Sequence, residues 1–494
     1  MRLRIASRTS DLARIQAYQV ARALKAIDPS ISVEHEFRSS LGDQNLDVPL
    51  SSWESKGVFT QDFFEDLKAN KFDMVVHSWK DLPTEARVGT AVVATLPRAD
   101  VRDLLLIPKS VWAEAKEQLT LLSSSPRRSF NLRNFAEYFP KKLKLEFKNV
   151  RGNVPTRIEK MFSEKAGLIL AKAGLDRLLE APEPEFASMQ TKLRERLSDC
   201  IFMVLPLEIL PPAAAQGALA VEINSENKVA ANLLAKINHP ETFSSVEWER
   251  QTLKSHGGGC HQKIGVVSLS KLYGRLKLLK GVTEAGDTLD ETIWESYQTP
   301  LPPAESAQKV FPFSPSENKW FDRKRLPVET LDASALWVAR AEAWPDGFSY
   351  DGVVWTSGLQ SWKKLASLGV WVNGCAEGLG EENTRLETLR PGLAWVKLTH
   401  KCALEYAKGK ASATYELTDK APDVSPSLRD KTHFYWMSAS SFKRALELFP
   451  RELKNGYHGC GPGITYHFLT RQNLLNPPKI FLNHEAFLSE VLPP

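Results

Sequence analysis

The chain has 494 residues, too many for one hydrophobic core and enough for roughly three to four domains of ~100–200 residues. Hydrophobic residues make up 43% and charged residues 25%, which excludes general disorder, and a net charge of +5 over this length leaves no footprint for nucleic acid. The five cysteines are scattered, odd in number and without a CxxC pair, so neither a disulfide framework nor a zinc site is expected, and no apolar stretch reaches membrane-spanning length. Met1 to Ala6 enters a strand instead of an apolar signal region, so a reducing cytoplasm is the expected compartment; no metal, membrane or nucleic-acid partner is expected, and the chain is taken to be a monomer.

In chain order, Leu3 to Ala6 reads as a strand, and Leu12, Ile15, Val20, Leu24 and Ile27 then recur near the helical period. Val33 to Phe37 returns to a strand, completing a βαβ opening. Asp73 to His77 and Gly167 to Ala171 read as buried strands, the second leading into a helix through Gly174 to Leu179. Such alternation predicts α/β layers with ligands at the carboxyl ends of strands. The chain is expected to cross between lobes near Pro211 to Gly217, and the proline-containing stretch from Thr299 to Arg325 reads as a linker.

Chemistry concentrates in the first 265 residues. His77-Ser78-Trp79-Lys80-Asp81-Leu82-Pro83 sets a cation beside a carboxylate after a buried strand; Asp81 either forms a turn before proline or stabilises a developing positive charge. Ser123-Ser124-Ser125-Pro126-Arg127-Arg128 is a serine-capped helix start followed by two guanidiniums, either an ordinary cap or a carboxylate-binding tip. Arg151-Gly152-Asn153-Val154-Pro155-Thr156-Arg157 places two more guanidiniums about a tight turn, a residue type that grips carboxylates bidentately. Arg8 and Ser10 at the first strand-to-helix turn, with Lys56-Gly57-Val58-Phe59, complete the cationic set. In Ser255-His256-Gly257-Gly258-Gly259-Cys260, three glycines leave space beside one thiol, either a flexible turn or a point of attachment.

These runs together resemble the porphobilinogen deaminase (hydroxymethylbilane synthase) family over about residues 3 to 300, on Arg4 to Arg8, Lys56-Gly57, His77 to Asp81, Ser123 to Arg128, Arg151 to Val154, Ala173 to Leu175, Gln216-Gly217 and the glycine-cysteine run. The resemblance implies a transferase that condenses four porphobilinogens onto a dipyrromethane cofactor attached through Cys260, then releases a linear tetrapyrrole. Asp81, Lys80 and Arg8 are the implied catalytic residues, with Asp81 stabilising the cationic azafulvene formed when ammonia leaves. Cys260, Ser10, Lys56, Ser78, Lys80, Asp81, Ser123, Ser124, Arg127, Arg128, Arg151 and Gly152 are implied at the cofactor. Arg8, Gln16, Phe59, Ser125, Arg151, Arg157, Ala171 and Arg177 are implied at the substrate, Lys56 and Phe59 from a mobile loop. The chain departs from the family pattern at Ser40-Leu41, in the run 51–57, at Pro126, after Cys260, and at Ala215, where glycine is common.

The implied fold is α/β, with two lobes like type II periplasmic binding proteins (1–98 plus 204–221, and 99–203) and a small α/β cysteine-bearing domain (222–300). A linker (301–329) would lead to a C-terminal α/β module (330–494). There Trp337 to Arg340, Tyr350 to Ser357 and Trp436 to Ser441 read as strands opening onto hydroxyl-rich caps, and Gly459 to Thr465 as a further turn. That pattern is similar to uroporphyrinogen-III synthase, so a bifunctional enzyme is one alternative. A binding protein that captures an anionic solute on the same scaffold is the other.

Overall fold

The computed structural model describes residues 1–39, 61–258, 262–328, 331–381, 384–421 and 425–492. The chain divides into two compact units: 1–136, 142–270 and 276–293 form the first, and 137–141, 271–275 and 294–494 the second.

The first unit contains two five-stranded sheets of like topology. Strands β1 (Arg2–Arg8), β2 (Ser32–Arg38), β3 (Met74–Ser78), β4 (Thr90–Ala94) and, from farther along the chain, β10 (Leu219–Asn224) make the first, in the order β2-β1-β3-β10-β4. β5 (Asp103–Pro108), β6 (Gln118–Leu122), β7 (Lys144–Lys148), β8 (Gly167–Ala171) and β9 (Cys200–Val204) make the second, in the order β7-β6-β8-β5-β9. In each, three neighbouring strands are parallel, and a strand reached by crossing from the other sheet is antiparallel to its neighbours: β10 in the first, β5 in the second.

Both faces of the first sheet are covered, which explains why its strands read as continuous apolar runs. Leu3, Ile5, Met74 and Val76 pack with Ala17, Val20 and Leu24 of the helix Asp11–Ile27, while Ala6 and Val75 turn to Phe63, Leu67 and Phe72 on the other side. The two crossing segments touch closely. Ala99 N–H donates to Gly217 O at 3.2 Å, and a Cβ on Gly217, at φ +86°, would lie 2.8 Å from Ala99 O, so only glycine fits. After β10 come the helix Pro240–Ser255 and a sheet of β11 (Gly265–Lys271), β12 (Gly274–Val282) and β13 (Thr288–Ser296), in that order.

The second unit has two further sheets. One is formed by β14 (Val310–Phe311), β21 (His433–Trp436), β22 (Tyr457–Cys460) and β23 (Lys479–Ile480), all parallel. The other runs β15 (Phe321–Arg325), β20 (Ala411–Asp419), β19 (Trp395–His400), β16 (Ala335–Val338), β17 (Val353–Thr356), β18 (Gly374–Cys375), parallel except where β15 meets β20.

This corrects the expectation of a linker over 301–329. Val310 and Phe311 are buried and pair with β21, and Phe321 to Arg325 pairs with β20. The stretch reads as polar because β15 is an edge strand whose Asp322, Arg323, Lys324 and Arg325 are exposed, a common way to blunt a sheet edge. Among the described residues no helix is long and apolar enough to cross a membrane, and no three or more His, Cys, Asp or Glu side chains gather as a metal site.

Candidate active site

The parallel strands of the first unit deliver the sequence-derived residues to their carboxyl ends. In the first sheet the strand order changes direction between β1 and β3, and there Arg8 ends β1 while Ser78 ends β3. In the second it changes between β6 and β8, where Ser123 follows β6 and Ala171 ends β8. Such reversals are where open α/β sheets form ligand crevices.

Locally, Ser10 caps the helix Asp11–Ile27 with extended backbone (φ −62°, ψ 145°) and makes no side-chain cap hydrogen bond. Gln16, buried on that helix, exchanges hydrogen bonds with Ser78 at 2.8 and 3.1 Å and so ties the helix to β3. Trp79 to Asp81 form a single 3-10 turn in which Trp79 is buried, Lys80 half-buried and Asp81 exposed. Ser124 exchanges hydrogen bonds with the backbone of Val150, joining the Ser123–Arg128 segment to the Arg151 turn. Gly152 stands at φ +116°, Asn153 caps the helix Val154–Ser163 by accepting from Thr156 N–H at 2.9 Å, and Arg157 Nε donates to Gly152 O at 2.7 Å.

Arg127 and Arg128 lie buried in the helix Pro126–Asn131 and converge on Asp103, the first residue of β5. Arg127 Nη2 donates to Asp103 Oδ2 at 2.8 Å and Arg128 Nη2 to Oδ1 at 2.7 Å. Gln216 Nε2 adds a bond to Oδ1 at 3.0 Å, and Arg127 Nη1 reaches Pro211 O at 2.8 Å. Sequence reasoning missed Asp103; the available signal was a carboxylate opening the buried run Leu104 to Ile107, which burial tolerates only with a partner.

Electrostatics join these segments. Burial pushes the Lys80 ammonium below its usual value; Asp81 and Asp103 oppose the shift, and Arg128 and Arg127 add to it. Burial also lowers Arg157, with Arg128 and Arg151 contributing and Asp81 opposing. Lys80, Arg127, Arg128, Arg151 and Arg157 therefore share one neighbourhood, in which Asp81 and Asp103 act as countercharges. Arg127 Nε and Arg128 Nε are buried without a hydrogen-bond partner.

Residues 3–232 match the family model described as "Porphobilinogen deaminase, dipyromethane cofactor binding domain". The curated porphobilinogen deaminase of Syntrophomonas wolfei is 36% identical over 306 residues, covering 62% of this chain and 92% of that protein. The chain belongs to the porphobilinogen deaminase family. The porphobilinogen deaminase of Nostoc sp. is likewise 36% identical, over 58% of this chain and 82% of its own length. That of Trichlorobacter lovleyi is 34% identical over 53% of this chain and 77% of its own.

For this family member the other expected residues fall as follows. Arg8 is half-buried at the end of β1, and Ala171 precedes the helix Lys172–Glu180. Ser125 caps the helix bearing Arg127 and Arg128. Arg177, buried, donates to Gly217 O at 2.7 Å on the crossing segment. Burial brings its guanidinium down to about 10, against Asp176 and Glu180. Lys56, Phe59 and Cys260 lie outside the described residues.

Proposed function

We propose that the cationic crevice of the first unit holds the dipyrromethane cofactor and the growing chain of a hydroxymethylbilane synthase, with the cofactor attached at Cys260. The chain is a transferase of tetrapyrrole biosynthesis that joins porphobilinogen units. The orphaned Nε donors of Arg127 and Arg128 and the excess of cations fit a group bearing several carboxylates. When bound, the cofactor supplies the pyrrole carbon to which the first substrate is joined. Ser10, Ser123, Ser124, Arg127, Arg128 and Arg151 hold cofactor carboxylates, while Arg8, Arg157 and Arg177 serve the substrate side. Asp81, exposed on its turn beside Lys80, stabilises the positive charge that develops on a pyrrole as ammonia departs.

The observation that carries this reading is the clustering of five cations from three separate segments around Asp81 and Asp103. The paired sheets, each with a strand reached by crossing, support lobes of the type II periplasmic-binding-protein kind. Intact mass tests the assignment: the purified protein should exceed its sequence mass by two pyrrole units, and Cys260→Ser should not. An unmodified wild-type protein sinks it.

For the second unit, a uroporphyrinogen-III-synthase-like module is the reading supported by one further feature. Strand order reverses between β16 and β19, and Arg340 and His400 follow at their carboxyl ends. Arg340 Nη2 donates to Met437 O, just beyond β21 of the other sheet, at 3.0 Å, and burial with Arg340, Lys397 and Arg323 lowers His400 to about 4. The carboxyl end of β16 and that of β21 are thus joined through Arg340. The assay is whether released bilane closes to the type III ring without added synthase.

A further inference from the structure

The turn that carries Lys80 and Asp81 is held from outside itself. Its own backbone bond is Leu82 N–H to Trp79 O at 3.2 Å, and a lone 3-10 turn with one such bond has little stiffness of its own. Trp79 N–H also donates to Ala218 O at 3.1 Å, and the helix Pro240–Ser255 adds further contacts. Phe243 packs on the Trp79 ring with centroids 5.1 Å apart, and Val246 enters the small apolar cluster of Trp79, Leu82, Ala215, Ala218 and Ala220. One turn on, Arg250 forks across the segment: Nη1 donates to Leu82 O at 3.1 Å and to Trp79 O at 3.4 Å, and Nη2 donates to Pro83 O. Phe243, Val246 and Arg250 are spaced by three and four residues, so one helix face grips the turn.

The same helix is fixed at its back. Glu249, fully buried, pairs with Arg98 at 2.6 and 2.8 Å and accepts from Ala215 N–H at 2.7 Å and Ser268 N–H at 2.8 Å. Beyond its end, Gly258 at φ +62° backs onto the segment after Asp81, where a Cβ would stand 2.9 Å from Thr84 Oγ1. The helix and Gly258 beyond it therefore both lie against residues 79–84. In sequence, Gly258 stands two residues before Cys260.

We infer that Arg250 is a positioning residue for the deaminase reaction, fixing the Asp81 turn relative to the helix that leads to the cofactor cysteine. Arg250 holds three carbonyls that flank Lys80 and Asp81. Its planar fork suits divergent carbonyls, whereas a lysine ammonium is a single point of attachment. The inference rests on the reading of Asp81 as the charge-stabilising carboxylate.

The test uses the full-length, cofactor-loaded protein with Arg250→Ala and Arg250→Lys. Intact mass, thermal midpoint, and kcat and KM for porphobilinogen are read together. Arg250→Ala should keep the dipyrromethane mass increment and lose kcat on the order of 10–100-fold at a KM changed little, because a small misplacement of a catalytic group costs that much. Arg250→Lys should fall between it and wild type. Combined with Asp81→Glu, the loss should be less than the product of the two single losses, since both act through one carboxylate. Unchanged kcat, a change in KM alone, a loss that tracks missing cofactor mass, or full multiplicativity would each overturn the inference. Should Arg250→Ala not fold, Arg250→Lys carries the same comparison. Normal turnover by Asp81→Ala would instead remove the reading of Asp81, whereas an inactive Asp81→Ala beside a fully active Arg250→Ala would remove only the role of Arg250.

Discussion

Replacing Asp103 by asparagine tests whether the two buried arginines are held by one shared charge. The carboxylate is fully buried and accepts from Arg127 and Arg128 at 2.8 and 2.7 Å and from Gln216 at 3.0 Å. In Asp103→Asn one oxygen becomes a donor facing a guanidinium, and two buried cations lose their countercharge. Breaking a buried pair by removing one partner costs about 3–5 kcal/mol, a large part of a typical total of about 5–15 kcal/mol. The variant should fold, with amide hydrogen exchange in β5 and β8 faster by the equivalent of that loss. Burial alone would raise the Asp103 carboxyl, but Arg127 and Arg128 overcome it and hold the group well below the usual carboxylate range. Its contribution is therefore fully present above the unfolded value of about 3.9 and is lost as pH falls through the folded value. The gap between wild type and variant should stay constant from neutral pH to about pH 5 and narrow only below about 3.9. A gap under about 1 kcal/mol, or one that closes between neutral pH and about pH 5, would refute the shared-countercharge account.

Asp81→Ala should leave the thermal midpoint unchanged, because the side chain is exposed, yet reduce kcat by roughly 10²–10⁴-fold; near-normal turnover in steady-state assays would contradict its role. Gly152→Ala forces φ +116° on a residue whose Cβ would lie 2.8 Å from Thr156 Cγ2, at a cost of about 1–3 kcal/mol by urea denaturation. Adding Thr156→Ser, which removes that methyl and keeps the hydroxyl, should recover part of the loss; no recovery would mean the contact is not the cause. In the second unit burial lowers His458 to about 4, with Leu453 O at 2.7 Å opposing the shift and the charge of His433 adding to it, while Trp436 Nε1–H donates to its Nδ1 at 3.0 Å. Its folded value lies below the unfolded one, so stability is complete above about pH 6.5 and falls by about 3 kcal/mol toward pH 4. His458→Phe should flatten that slope in hydrogen exchange of β21 and β22, and an unchanged slope would exclude His458 as its source.

What could be read from the sequence was local. The opening strand, the helix Asp11–Ile27 and the runs ending at Ser78 and Ala171 followed from periodicity, because both faces of the sheets are covered and apolar residues run without interruption. The tight turn between Arg151 and Arg157 was equally legible, since the residues that build it are close in sequence, whereas the cap that Asn153 forms there was not read. Partners remote in sequence were not. Asp103 stands 24 and 25 residues from the arginines it holds, and Arg250 lies 167 residues from Pro83, so no local pattern pairs them. Ala215, where a family glycine was expected, occupies φ +64°; its N–H is held by the buried Glu249 carboxylate, which offsets a backbone that alanine adopts at some cost. The presumed linker misled for another reason: an edge strand exposes charged side chains, and composition alone cannot tell it from a loop.

The internal carboxylate also explains how so many cations coexist before any ligand arrives. Without Asp103, Arg127 and Arg128 would face each other in a buried setting at a cost of about 3–5 kcal/mol; with it, they are fixed in place while the local charge remains positive. One anion thus orients two guanidiniums without satisfying them, since the Nε donor of each remains unused. An incoming pyrrole with its acid groups would then approach cations already fixed in place, and little further ordering would oppose binding. The same logic sets the limit on substitution. Lysine at either arginine position would keep the charge but lose the second donor that Asp103 orients, so Arg127→Lys and Arg128→Lys should weaken ligand hold more than net charge alone requires.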